Sequence, residues 1–323
     1  MWRMRAVHIE RLDGPAAVRV VDIAEPEPGE GQVLIDVHAA GVTFPEVLQS
    51  RGKYQIQPEL PFVPGSEVAG TVRSAPEGSG FQPGQRVAAF PGFGGFAETV
   101  AVDRRAVFRL PERMSFETAA AIPMNVLTSH FALVHRGRLQ PGEIVLVHGA
   151  AGGIGTASIQ LAKVLGARVI AVVSTDAKAQ VARDAGADDV VRVDGFKDAV
   201  QELTGGVDIV VDPVGGDRFT DSLRCLRPDG RLLVIGFTAG EIPTVKVNRL
   251  LFNNIAVVGV GWGPYWRPQP EFMQRQWDDL WPHISSGVLD PLIGARFPLS
   301  EVGKALQTLE DRAALGKVVL QVR

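Results

Sequence analysis

The feature that most restricts the fold is one continuous stretch, IVLVHGAAGGIGTASIQLAKVLGARVIAV, residues 144–172. A short apolar run at 144–147 passes directly into HGAAGGIG, which opens a helical pattern at 154–165 before a second apolar run at 168–173. Strand, glycine-rich turn, helix and strand in that order form the unit that holds a dinucleotide. Ala150, Gly152 and Gly155 occupy the three glycine places of that fingerprint; Gly149 and Gly153 add freedom, and Ala151 and Ile154 complete the turn. Gly152 lets the backbone approach a pyrophosphate, and Gly155 lets the helix pack tightly on the strand. The first helical amides, at the positive end of the dipole, then bind the anion. Alanine at 150 requires that this residue keep φ below zero.

The same alternation continues downstream. Strand patterns at 189–191, 209–212 and 232–236 are separated by helical patterns at 177–185, 196–203 and 218–226. Short β-branched strands joined by helices predict a parallel sheet covered on both faces, and right-handed crossovers make it doubly wound. Upstream, residues 4–9, 17–23, 33–40, 68–73 and 96–102 read as short β segments, with turns at 26–31 and 83–84 and one helical interruption at 44–51. This spacing predicts an antiparallel, partly closed, barrel-like β domain. After residue 262 come a helix at 271–286, a strand at 293–297, a helix at 300–309 capped by Ser300, and a strand at 317–322 that rejoins the first domain's sheet. The fold class is α/β, and 323 residues suit two domains. The expected division is 1–120 plus 262–323 as a β-rich catalytic domain, and 121–261 as the nucleotide-binding domain.

The tip of the second strand selects the cofactor. An NAD site places an acidic residue about 20 positions after the glycines, on the ribose hydroxyls. Here the tip reads Val173-Ser174-Thr175-Asp176-Ala177-Lys178. Ser174 is small and neutral, Lys178 lies one helical turn further, and Arg192 follows the third strand. Together they favour NADPH, with Asp176 read as the N-cap of the next helix.

Several classes are excluded by composition. A net charge of −3 with no basic run argues against nucleic acid or an anionic membrane as the main partner. His8 and Glu10 interrupt the apolar stretch that a signal peptide needs, and no window approaches a membrane span, so a cytoplasmic protein is expected. Cys225 is the only cysteine and reads as a small buried hydrophobe on a helix. The six histidines show no metal spacing; His130 and His135 stand five apart.

The segments AAGVTFPEVLQSRGKY (39–54), LPFVPGSEVAGTV (60–72), GGFAETVAV (94–102), AAAIPMNVLTSHFAL (119–133), DPVGG (212–216), GRLLVIGF (230–237) and LGKVVL (315–320) flank the phosphate turn. In this order they resemble the zinc-free, zeta-crystallin-like quinone oxidoreductases of the medium-chain dehydrogenase/reductase superfamily, across residues 4–322. The resemblance implies a GroES-like catalytic domain, with nicotinamide at the bottom of a cleft against the nucleotide domain. It implies Asn125 and Thr128 near the nicotinamide ribose and pyrophosphate, and Ser174, Lys178 and Arg192 around the adenosine phosphate. Gly236, Phe237, Thr238, Val260, Gly261 and Trp262 would line the nicotinamide side, and Arg312 would reach toward the 2′-phosphate. Thr43 stands where the family usually has Asn, and Leu48 and Val193 where Tyr is common; Tyr54 is retained. A bulkier or more apolar substrate follows.

Zinc-dependent relatives hold their metal with Cys and His. The corresponding stretches here, GVTFPE (41–46) and PGSE (64–67), contain neither, and Ser66 takes the place of the His. Without that Lewis acid, oxidation of a simple alcohol is disfavoured, whereas a conjugated carbonyl accepts hydride directly. The expected activity is NADPH-dependent hydride transfer to a quinone or enone. Tyr54 or water would supply the proton, with Thr43 donating a hydrogen bond to the substrate oxygen. An enoyl-thioester (acyl-CoA) reductase and a non-catalytic NADPH-binding protein are the alternatives. WGPYWRPQPE (262–271) reads as a loop and a substrate lid. NNIAVVGVGWG (253–263) reads as an apolar edge strand. Such an edge needs cover, and pairing with its own copy across a two-fold axis predicts a homodimer.

Overall fold

The computed structural model describes residues 3–323, which form two compact units. One comprises the chain up to Met124 with Pro270–Ser285 and Asp290–Arg323; the other is Asn125–Gln269 with Ser286–Leu289.

In the β-rich unit, β1 (Arg3–His8) and β2 (Arg19–Ala24) form an antiparallel pair. Then follow β3 (Gln32–Val42), β4 (Glu67–Ser74), β5 (Arg86–Ala89), β6 (Thr99–Asp103) and β7 (Val107–Arg109). β5 and β7 are too short for alternation to reveal them in the sequence. The strand expected from 96 begins only at Thr99, because Phe96 donates its amide to Pro64 and Ala97 bridges to Ala6.

The second unit carries β8 (Ile144–Val147), β9 (Arg168–Val173), β10 (Asp189–Arg192), β11 (Val207–Asp212), β12 (Leu226–Val234) and β13 (Ala256–Gly259). All are parallel, in the order β10-β9-β8-β11-β12-β13. Counted from β8 this is 3-2-1-4-5-6, the dinucleotide-binding order, whose ligand crevice lies outside the strands' carboxyl ends where the order reverses. Strands such as IVLV are buried along their whole length, as helices on both faces require. One core face joins Leu146, Ile170, Val172, Val210 and Leu232 to Phe196, Val200, Phe219 and Leu223 of the helices. Each such side chain, fully buried, stabilises by about 1.5–3 kcal/mol. Cys225 belongs to this core, and burial pushes its thiol up to about 12.

The chain then adds β14 (Ile293–Pro298) and β15 (Lys317–Gln321) to the first unit's larger sheet, ordered β14-β15-β3-β4-β5-β7 with β6 also paired to β3. Among the described residues this pairing traces an open path and not a ring. The last helix runs Val302–Glu310 and is entered through a 3-10 turn at Leu299–Glu301. That turn places Glu301, and not Ser300, at the cap position. No helix among the described residues is long and apolar enough to cross a membrane.

Candidate cofactor and active site

β8 ends at Val147 and the turn closes into the helix Gly153–Val164. Gly149 has φ 59, a left-handed conformation that favours glycine, and Ala150 does not take a positive φ. A Cβ on Gly155 would lie 2.2 Å from the Gly149 oxygen and 2.6 Å from Ala150 Cα, so this helix rests on the turn itself. A Cβ on Gly152 would meet only the Gly149 oxygen, at 3.4 Å, leaving that face open. The side-chain amide of Asn125 lies against Gly153, where a Cβ would come within 1.8 Å of Nδ2. Thr128 is buried one turn along the same helix, Pro123–His130, which Ser129 ties to Ser158 at 3.0 Å. The structure thus brings Asn125 to the phosphate turn.

Ser222, on the helix Phe219–Cys225, ties down His148 at the start of this turn. The Ser222 hydroxyl donates to the Arg218 carbonyl at 2.8 Å. Its oxygen therefore accepts from His148 Nε2–H, also at 2.8 Å. Burial keeps that imidazole neutral, with its pKa down to about 3. Asp212, at the end of β11, accepts the Val214 and Gly215 amides at 2.9 Å each and so shapes the DPVGG turn. Burial raises its pKa against the pull of those two amides.

At the tip of β9, Ser174 is exposed and Thr175 caps the helix Asp176–Asp184, its Oγ1 accepting from the Lys178 amide at 3.3 Å. This corrects the assignment of Asp176 as the cap. Thr175 has the extended backbone of a cap (φ −138, ψ 164), whereas Asp176 is already helical. Its carboxylate is 98% exposed and accepts a hydrogen bond from the guanidinium of Arg192, at the tip of β10. Register places Arg192 beside Val173 and so next to Ser174.

Beyond β12, the Ile235 and Thr238 amides bond back to the Asp212 and Pro213 carbonyls at 2.9 and 3.2 Å, holding Gly236 and Phe237 at the same end of the sheet. Beyond β13, the Val260 amide bonds to Val234 at 2.9 Å, and Gly261 precedes a short helix, Trp262–Trp266. The sequence reading of a loop is corrected here. Pro264 lies in the first turn, where a missing N–H costs nothing, so the Gly-Pro pair does not break the helix. Trp262 is buried, and Tyr265 packs on Phe131 and His135.

In the β-rich unit, Thr43 caps the helix Phe44–Ser50 in a capping box with Glu46. Glu46 Oε2 accepts from the Thr43 amide at 2.7 Å and from the Thr43 hydroxyl. Its Oε1 accepts from the Ser66 amide at 3.0 Å and the Ser66 hydroxyl at 2.7 Å. All three residues are buried. A threonine hydroxyl has one hydrogen, and here Glu46 takes it. The hydrogen that the sequence reading gave to a substrate oxygen is thus directed to Glu46 in this structure. Next along the chain, Glu67 pairs with Lys317 and accepts the Met124 amide at 2.7 Å, all but Met124 deeply buried. Burial raises the Glu67 pKa, opposed by Lys317 and that amide. Tyr54 is half-buried in the segment after helix Phe44–Ser50, and Arg312 is exposed with φ 55 after the last helix.

Residues 29–112 match the family model of the alcohol dehydrogenase GroES-like domain, and residues 153–284 that of zinc-binding dehydrogenase. The chain is 38% identical over 325 residues to quinone oxidoreductase-like protein 2 of Bos taurus, covering 99% of this chain and 93% of that one. The chain belongs to the quinone oxidoreductase family of medium-chain dehydrogenases/reductases. Solved structures similar to this quinone oxidoreductase family member include a probable oxidoreductase from Mycobacterium abscessus (TM-score 0.91, 45% identity, 99% of each chain). Another is the quinone oxidoreductase of Thermus thermophilus, whose complex with NADPH is known (TM-score 0.86, 36% identity, 99% of this chain and 100% of that one).

One matching family model names zinc, which the residues of this quinone oxidoreductase relative do not fit. Zinc takes thiolate, imidazole or carboxylate donors. At the corresponding positions stand the neutral hydroxyls of Thr43 and Ser66, and both oxygens of Glu46 already accept two hydrogen bonds each. Among the described residues, no group of three or more His, Cys, Asp or Glu is placed to hold a metal.

Proposed function

We propose that this chain is an NADPH-dependent oxidoreductase that reduces a quinone or another activated alkene without zinc. The observation that carries this is the gathering of anion-binding features at the carboxyl ends of one parallel sheet. The open glycine turn follows β8, Ser174 follows β9, and Arg192 ends β10. The amides after Gly152 bind the pyrophosphate, Asn125 and Thr128 hold the neighbouring ribose, and Lys178 with Arg192 binds the 2′-phosphate. Gly236–Thr238 and Val260–Trp262 line the nicotinamide side. NADPH, when bound, supplies the hydride. The chain's own residues orient the acceptor and exclude water.

With the Thr43 hydrogen committed to Glu46, Thr43 offers a substrate only a lone pair. The proton for the reduced oxygen then comes from the Tyr54 hydroxyl or from water. A homodimer through β13 belongs to the same proposal. That strand ends the sheet order, and Ile242, Val247, Leu251 and Phe252 just before it are all exposed.

Cofactor fluorescence titration tests the site. NADPH should bind at least tenfold more tightly than NADH, about 1.4 kcal/mol, and equal affinities overturn it. Steady-state assays with quinones beside crotonyl-CoA and acryloyl-CoA test the substrate. Turnover confined to the thioesters would make this an enoyl-thioester reductase, and binding without turnover a non-catalytic NADPH protein.

A further inference from the structure

We propose that Asp176 competes with the cofactor's 2′-phosphate for Arg192, limiting how strongly this site prefers NADPH over NADH. This rests on the proposed NADPH site. Asp176 is the only carboxylate in the segment 173–178, and it already holds the Arg192 guanidinium. The pair is solvent-accessible, with the Asp176 side chain 98% and Arg192 46% exposed, so a ligand reaches it without unfolding anything. The neighbouring side chains do not substitute for it: Ser174 is uncharged, and the Thr175 oxygen is engaged by the Lys178 amide.

A phosphate monoester at neutral pH carries about −1.5 to −2 charges on its oxygens, and the planar guanidinium fork of arginine suits it. To take the phosphate, Arg192 has to give up its carboxylate partner. The displaced carboxylate stays close, because Asp176 is the first residue of the helix and Thr175 fixes that helix's start. It then faces the phosphate as a like charge. NADH carries a hydroxyl in place of the phosphate, which leaves the Asp176–Arg192 pair intact. Asp176 therefore weakens NADPH selectively.

The test compares full-length Asp176→Asn with the parent protein, titrating NADPH and NADH at low salt and at roughly 1 M salt, where the screening length is about 3 Å. Asp176→Asn should bind NADPH about two- to fivefold more tightly at low salt, the range of an exposed ion pair. NADH affinity should not change, and the NADPH gain should shrink at high salt. Unchanged or weaker NADPH binding by Asp176→Asn at low salt overturns the proposal. So does weaker NADH binding with NADPH unaffected, which would make Asp176 a ribose ligand. Arg192→Ala distinguishes the underlying site: it should weaken NADPH about tenfold and leave NADH alone. If Arg192→Ala leaves NADPH unchanged, the 2′-phosphate site itself fails, and the competition at Asp176 fails with it. If Arg192→Ala weakens NADPH while Asp176→Asn does nothing, the site stands and only the competition is wrong.

Discussion

Alanine at Gly155 and at Gly152 should separate the packing role of one glycine from the binding role of the other. At Gly155 the new methyl group would lie 2.2 Å from the Gly149 oxygen and within 2.8 Å of the Ala150 backbone. Those are main-chain atoms and cannot rotate away, so turn and helix must part by roughly 1 Å to restore van der Waals contact. Forced overpacking costs about 1–3 kcal/mol, which lowers the Tm of a unit this size by about 3–10 °C. Parting the helix from the turn also misplaces the amides proposed to hold the pyrophosphate, so NADPH affinity should fall about tenfold or more. Gly152 has φ −89 and ψ 178, which alanine adopts freely, and its methyl would make only the 3.4 Å contact. Gly152→Ala should therefore change stability by less than about 0.5 kcal/mol, while its methyl blocks the anion and lowers NADPH affinity about tenfold. Thermal unfolding followed by circular dichroism, beside NADPH titration, reads both quantities. Wild-type stability in Gly155→Ala refutes the docking of helix on turn. Undiminished NADPH binding by Gly152→Ala refutes the placement of the pyrophosphate.

Lys317→Met should destabilise by about 3–5 kcal/mol, because it leaves Glu67 buried without its charge partner. Burial raises the Glu67 pKa above its unfolded value, so its contribution to stability falls as pH rises between the two, the more so once Lys317 no longer opposes that rise. Urea unfolding should accordingly find Lys317→Met less impaired at mildly acidic pH than above neutrality. Light scattering should give a mass near twice 34.6 kDa, and Val258→Pro, which removes a ladder donor from β13, should weaken the dimer or the fold; an intact dimer would place the interface elsewhere. Cys225, buried and pushed up to about 12, should resist an aromatic disulfide reagent in the native protein and react once unfolded.

What the sequence disclosed were features with a local cause. The roles of Gly152 and Gly155 follow from neighbours a few residues away, and β8, β9 and β11 announce themselves as short apolar runs rich in valine and isoleucine. Asp176 was misassigned because aspartate and threonine are both good caps, and only the backbone decides which of two adjacent residues is still extended. Trp262–Trp266 reads as a loop because glycine and proline break helix interiors, yet proline is harmless in a first turn. Glu46 was half visible: Thr43-x-x-Glu46 is a capping-box pattern, but Ser66 is twenty positions away, and no pattern joins Glu67 to Lys317 across 250 residues. Contacts of that span depend on the sheet that brings them together.

The saturation of Glu46 also bears on how such a site can change over generations. Replacing Thr43, Glu46 or Ser66 alone would strand a buried donor or acceptor, each at about 1–3 kcal/mol, a large share of the stability that a domain has to spare. The three positions are thus locked into joint inheritance, although they are spread over twenty-four residues of chain. A descendant that acquired metal-binding side chains at 43 and 66 one at a time would pass through a weakened intermediate. Compensating substitutions elsewhere would have to come first, which makes the hydroxyl pair a slow character to lose.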